Sequence, residues 1–416
     1  MKTPWRKLYV LSVAGALSWL GSSLTTFAVI LRDKDSVGAI GISVYLLAFG
    51  VPIVFMSPIS GLIADKFSSR QVILPALTIM GLSSASLTFG LPVWWVPCSL
   101  FITAAAGALV GPAMQAVEVT ITAPDDLPRV TGLMQSMASL GTLFAPALGG
   151  ILVSTTGYYW PFIIDAISFW LLAAVFFALN VNRPSVEHET GEKLSATTGI
   201  KFVFKEPLIR ALVVLVTMLI ITLGGFNVGE VFLMKDELHA DNFIYGIVGA
   251  LFAGGSIAGS VLTAAIKLKS KFHALATVVG VSTLILTVMG LSLAPNWGVA
   301  MALAFITGVG NSILNAYAIS IIMTRAPKEA LGRVNAAIGA IITAGSILGI
   351  VVSGIAITAF GVRQVLFAGA VLSAITAIIF SPEVLRAGRV KTDDKEDVQA
   401  EASVSVVAAD AASAEN

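Results

Sequence analysis

Gly132-Leu133-Met134-Gln135-Ser136-Met137-Ala138-Ser139-Leu140-Gly141-Thr142-Leu143-Phe144-Ala145-Pro146-Ala147-Leu148-Gly149-Gly150 carries no charge and spaces its small residues at fixed intervals. A run this apolar is a membrane helix, since in lipid the backbone must satisfy its own hydrogen bonds. Gly141, Gly149 and Gly150 let neighbouring backbones approach closely, and Pro146 removes one intrahelical hydrogen bond and permits a bend. A fainter copy lies 204 residues downstream, where Leu127, Arg129, Val130, Gly141, Gly150 and Gly157 recur as Leu331, Arg333, Val334, Gly345, Gly354 and Gly361. The second set, with Gly349, reads on its own as an ordinary small-residue helix interface. A constant offset near half the chain length predicts two related halves, as in duplicated membrane carriers.

Composition agrees. Hydrophobic residues make up 56% and charged ones 12%, against about a quarter charged in soluble domains. Lys and Arg form no basic stripe beside aromatics, so nucleic acid is not an expected partner. Cys98 is the only cysteine, which rules out an intrachain disulfide and a cysteine metal site. His188, His239 and His273 lie far apart near loops and read as solvated side chains. The apolar run from Leu8 to Leu31 exceeds the 7–15 residues of a signal-peptide core and is expected to stay as the first span.

At about 20 residues per crossing, the uncharged runs divide into twelve spans. They are 8–31, 38–64, 72–90, 94–122, 131–153 and 159–180, then 209–233, 243–266, 273–293, 297–323, 334–358 and 363–381. The stretches from Gln71 to Val117 and from Phe272 to Thr324 are each twice a crossing and need a turn, supplied by Gly90-Leu91-Pro92 and by Pro295-Asn296-Trp297-Gly298. Trp94, Trp95, Tyr158 to Trp160 and Trp297 sit beside turns on one side, where amphipathic rings favour the headgroups. With both termini cytoplasmic, all but Arg32, Lys34, Lys235 and Arg363 of the 25 Lys and Arg fall inside, a bias strong enough to set orientation. The expected fold is an all-α membrane protein with twelve transmembrane helices in two pseudo-symmetric six-helix bundles. The first bundle covers 1–182, a cytoplasmic linker 183–208, the second bundle 209–386, and a disordered acidic cytoplasmic tail 387–416.

Polar residues inside lipid are costly and mark a path or a partner helix. Span 4 carries Gln115 and Glu118, span 7 Asn227 and Glu230, and span 10 Asn311 and Asn315, each pair on one helical face. Span 1 adds Ser22, Ser23, Thr25 and Thr26, so spans 1, 4, 7 and 10 are expected to line a common path; Gln135 and Asn335 are exceptions. Glu230 is the first candidate for a coupling carboxylate, its exposure alternating as it loads and releases a proton. The alternative is a pairing with Lys235 near the outer end of its span. Glu118 is expected to pair with Arg129 or Lys66, and Asp165, inside the outer aromatic belt, is a further carboxylate on a helix not expected to line the path.

These residues resemble the major facilitator superfamily. Gly61-Leu62-Ile63-Ala64-Asp65-Lys66-Phe67-Ser68-Ser69-Arg70 is similar to its loop signature after the second span, with Ser68 and Ser69 where Gly or a basic residue is usual. The resemblance implies that Asp65 and Arg70, in a conformational motif that also holds Gly61 and Lys66, clamp the cytoplasmic helix ends and bias the conformational equilibrium. Gly132, Gly141, Pro146, Gly149 and Gly150 resemble the antiporter motif of drug exporters, with Ala145 replacing a Gly. Pro112-Ala113, Gln115-Ala116, Gln135-Ser136, Ile164-Asp165 and Leu331-Gly332-Arg333-Val334 resemble the macrolide-efflux and siderophore-exporter branch.

The resemblance implies secondary active efflux of a small amphipathic molecule, a drug or hydrophobic metabolite, by alternating access with proton antiport. It places a monomer in the cell's inner (plasma) membrane, with the bilayer, a small-molecule substrate and protons as partners. An importer or facilitator of the same fold, or a siderophore exporter, is the alternative. A membrane enzyme would need a nucleophile, a metal cluster or a folded extramembrane domain, and none is visible. No cofactor is expected, and no GxxxxGK[ST] motif for nucleotide occurs.

Overall fold

The computed structural model describes residues 3–181, 203–266, 268, 272–325 and 331–386, and every regular element among them is helical. Most of the expected linker 183–208 and all of the tail 387–416 lie outside the described residues. The first element, α1, runs Trp5–Lys66 with one non-helical residue, Gly38 (φ 60, ψ −169). Two spans with a loop between them were expected here. Instead Arg32 to Val37 stay helical, with Arg32 paired to Asp33 at 2.8 Å, and the reversal is compressed into one glycine at positive φ. The Tyr45 hydroxyl donates to Asp33 Oδ2 at 2.9 Å, whereas twelve residues of straight helix would separate them by about 18 Å. The chain therefore doubles back at Gly38.

Ten helices follow. They are α2 (Ser69–Ser86), α3 (Trp95–Ile121), α4 (Leu127–Thr156), α5 (Tyr159–Ala178), α6 (Pro207–Phe232), α7 (Asn242–Ala265), α8 (His273–Ser292), α9 (Trp297–Arg325), α10 (Leu331–Phe360) and α11 (Val362–Arg386). Among the described residues ten apolar stretches are long enough to cross a membrane, Trp5–Met56 with its 52 residues counting as one, and α4 contributes the shorter Phe144–Thr156. The expected turns occur where Gly90, Gly157 and Gly361 adopt positive φ.

Two ends of the molecule can be told apart by their cross-links. At one end Lys7 Nζ donates to Leu179 O at 2.9 Å, the Arg129 guanidinium lies 4.5 Å over Trp5, and Arg210 pairs with Glu383 at 2.9 Å. This is the Lys66 end. At the other, the Lys34 end, Arg32 lies 5.2 Å over Phe162, and Arg363 pairs with Glu237 at 2.8 Å and donates to Ala294 O at 2.9 Å.

The apolar cores follow the same division. One cluster joins Ala28, Ile42, Tyr45 and Phe162 of residues 5–181 to Val228, Tyr245, Ile350 and Leu366 of residues 203–386, all toward the Lys34 end. Toward the Lys66 end the described residues form separate cores, one around Leu11, Val72, Val117 and Phe176 and another around Val203, Ile209, Ile322, Val334 and Val384. Burial of apolar surface thus ties the two halves together at one end only among the described residues.

Candidate functional site

The glycine motif forms the seam between the halves. A Cβ on Gly150 would lie 2.7 Å from Asn242 O and 2.9 Å from Gly246 Cα of α7, and one on Gly246 would lie 2.6 Å from Pro146 O. Gly249 meets the Pro146 ring in the same way. Backbone therefore touches backbone across α4 and α7, which only glycine on both sides permits. Gly141 and Gly149 face inward to their own half, against Ala16 O and Phe27 of α1, whereas Gly132 has open space around it.

The fainter copy does equivalent work. Gly354, 204 residues after Gly150, packs on Ser43 of the returning arm of α1, and the Ser43 hydroxyl donates to Ile350 O at 3.1 Å. Gly345 and Gly349 pack on Thr217 and Ile221 of α6, as Gly141 packs on the first arm of α1. The second copy is a small-residue interface, as its sequence indicates, and part of that interface is the seam.

Two side-chain contacts complete the closure. Phe27 and Tyr245 stack with centroids 5.0 Å apart, and Lys34 Nζ, nearly buried, donates to Asp236 Oδ1 at 2.6 Å across the halves. Lys34 also donates to its neighbour Asp35 at 2.5 Å. Because Asp236 is half exposed, this pair belongs with solvent-accessible ion pairs worth about 0–1 kcal/mol. Asp236→Asn is accordingly expected to shift the closed-to-open ratio by no more than about fivefold. Pulsed spin-label distances between Thr156→Cys and His239→Cys, in a Cys98→Ser background, measure that shift.

Glu230, on α6 near the Lys34 end, is half-buried. The Lys235 alternative is not realised, because Lys235 donates to Asn242 Oδ1 at 2.8 Å. The Glu230 carboxylate makes no hydrogen bond or ion pair with any described residue. Glu118 is likewise half-buried, and its expected partners are engaged elsewhere, Arg129 over Trp5 and Lys66 over the Phe67 ring at 5.9 Å. That pairing expectation is corrected: both partners are drawn to aromatic faces nearer the helix ends. Asn227, Gln115 and Asn315 are exposed, and Asn315 Nδ2 donates to Asn311 O at 2.8 Å. No hydrogen bond joins Gln115, Glu118, Asn227 and Glu230 to one another among the described residues.

Asp165 is 1% exposed and sits inside the first half. Ser22 Oγ donates to one carboxylate oxygen at 3.2 Å and Ser84 Oγ to the other at 2.8 Å. Ser22 therefore faces Asp165, while the Thr26 hydroxyl donates to Ser22 O at 3.0 Å. Ser84 was not among the expected residues; the adjacent pair Ser83-Ser84 within an uncharged span was its only signal. Gly246 and Gly249 were also missed, although glycines recur through α7 at Gly254, Gly255 and Gly259.

Of the loop signature, Arg70 Nη2 donates to Phe177 O at 2.9 Å and its guanidinium lies 4.9 Å over the Phe177 ring. It thus caps the C-terminal end of α5, where a cation complements the helix dipole. Gly61 is helical, and the side chains of Asp65 and Gln135 lie outside the described residues.

A multi-span helical carrier whose halves meet along a glycine seam at one end is the class that this geometry defines. The Major Facilitator Superfamily model matches residues 11–233 and 222–409, and the chain belongs to that family of membrane transporters. It is 24% identical over 383 residues to the multidrug efflux pump Tap of Mycobacterium tuberculosis, covering 86% of this chain and 88% of that one. It is 27% identical to macrolide efflux protein A of Streptococcus pyogenes over 157 residues, 36% of this chain and 39% of the relative. Among solved structures, a bacterial homologue of the human lysosomal transporter Spinster, in an inward-facing and unoccupied conformation, superposes with TM-score 0.71 at 13% identity. That match covers 93% of this chain and 99% of the other, and shows a shared fold.

Proposed function

We propose that this transporter exports a small amphipathic molecule across the inner membrane by proton antiport, through alternating access between two six-helix halves that together make twelve spans. The observation that carries the reading is the single apolar core shared by both halves at the Lys34 end, set against separate cores at the Lys66 end. With the positive-charge bias placing the Lys34 end outside and both termini in the cytoplasm, the path is closed outward and accessible from within. Such a state is ready to load cargo from the cytoplasm or the inner leaflet. The motif at Gly141 to Gly150 and the efflux relatives support export.

Glu230 supports proton coupling because it has no fixed cation beside it and lies near the Lys34 end, which must open. Opening the seam exposes it to the other compartment. One charge moving through about 100 mV is worth about 2.3 kcal/mol, enough to hold an approximately 40-fold gradient of a neutral solute. Asn227, Gln115, Glu118, Asn311 and Asn315 supply polar groups on α3, α6 and α9 for an amphipathic cargo. The protein acts as a monomer in this reading.

Everted vesicles provide the test. An imposed inside-acid gradient is expected to drive accumulation of a fluorescent amphipathic dye, and collapsing the gradient is expected to release it. Uptake in right-side-out vesicles with the same dependence, and none in everted ones, would reverse the assigned direction.

A further inference from the structure

Asp165 is a carboxylate placed at membrane depth without a counter-charge. No Lys, Arg or His among the described residues pairs with it, and the nearest guanidinium toward the Lys34 end, Arg32, is held by Asp33 and lies over Phe162. A buried carboxylate in that position is expensive unless its charge is balanced. Its hydrogen-bond partners are hydroxyl oxygens. Ser22 and Ser84 reach its two oxygens, Thr25 Oγ1 lies 3.5 Å from Pro161 O, and Ser84 Oγ also lies 3.2 Å from Phe162 O. Beside these groups is a cavity of about 10 Å³ whose wall combines Asp165 and hydroxyl residues, Ser22, Thr25 and Ser84 among them, with the apolar side chains of Phe49, Leu87 and Leu100, which is room for about one water.

We propose that this cavity binds one sodium ion, held by the Asp165 carboxylate and the hydroxyl oxygens of Ser22, Thr25 and Ser84. The donor set is all oxygen, which suits a hard cation and excludes soft metals. One carboxylate balances one positive charge, and a divalent ion would leave an uncompensated charge in lipid. A proton would need a single acceptor and no cavity. Here several hydroxyls converge, each with acceptor lone pairs left after donating, and they rotate to present those lone pairs to the ion.

The ion would also tie three helices together. Ser22 and Thr25 come from α1, Ser84 from α2 and Asp165 from α5, and Gly21 lets α1 approach within 2.8 Å of Asp165 Cα measured from an added Cβ. Binding therefore rigidifies the first half around the arm of α1 that carries Phe27 to the seam. This inference does not depend on export direction or on proton coupling, and it is tested without transport.

The full chain is purified in detergent and its thermal unfolding is followed as sodium chloride replaces choline chloride at constant ionic strength and pH. Wild-type protein is expected to gain about 2 °C or more at ten times the dissociation constant, and potassium chloride is expected to give a smaller shift. Asp165→Asn is expected to lose the sodium-specific shift. Should that variant fail to fold, Ser22→Ala and Ser84→Ala, which keep the carboxylate, are expected to raise the half-saturating sodium concentration at least fivefold. Equal stabilisation by sodium and choline, a sodium shift preserved in Asp165→Asn, or unchanged half-saturation in both serine variants would each overturn the site. So would stabilisation that follows pH alone.

Discussion

Gly246→Ala is expected to hold the halves apart at the Lys34 end and to cut transport at least tenfold while leaving the protein folded. The added carbon would sit 2.6 Å from Pro146 O and 2.9 Å from Gly150 Cα, and backbone atoms cannot rotate away as a side chain can. Overpacking of this kind costs about 1–3 kcal/mol, which shifts a two-state balance by about 5- to 150-fold. Alanine is the better helix former by about 1 kcal/mol, so loss of α7 itself is not the cause. Gly254→Ala in the same helix meets nothing within 4 Å and is the matched control. The Thr156–His239 spin-label pair should report a longer distance in Gly246→Ala and an unchanged one in the control. An unchanged distance and wild-type export in Gly246→Ala would remove the seam from the mechanism.

Glu230→Gln should abolish accumulation driven by a pH gradient, by at least about 100-fold, while exchange of cargo across the membrane continues. The substitution preserves shape and removes the exchangeable proton. A residue serving only to shape the path would slow both activities together. Retention of gradient-driven export would exclude Glu230 as the carrier, and Glu118, a half-buried carboxylate of α3 without an ion pair among the described residues, would take its place. The pair separates energy coupling from cargo handling within one protein.

Much of the fold was legible from local pattern. Apolar runs of crossing length, turns at Gly90 and Gly157, and the repeat at an offset of 204 residues are properties of neighbouring residues or of simple periodicity, and each appears in the helices observed. The join of the first two spans was less legible, because charge at Arg32 to Asp35 reads as loop. In the folded chain Arg32 pairs with Asp33 and Lys34 with Asp35 inside a continuous helical segment, and the turn falls at Gly38. Long-range pairings were not legible. Lys34 meets Asp236 at a separation of 202 residues and Asp165 meets Ser22 at 143, and nothing beside either residue encodes its partner. Glycine could be recognised as a packing residue, but which of Gly141, Gly149 and Gly150 reaches the other half depends on how the helices are assembled.

The Lys34 ammonium, shared between a carboxylate of its own half and one of the other, has a consequence for reversibility. In the proposed cycle, separation of the halves would release Asp236 to solvent and leave Asp35 as the partner of the lysine. Parting exchanges one ligand for water and never strands a bare charge in a low-dielectric setting. The lysine thus works as a press-stud that opens and fastens at little cost, cycle after cycle, while the glycine surfaces set how tightly it shuts.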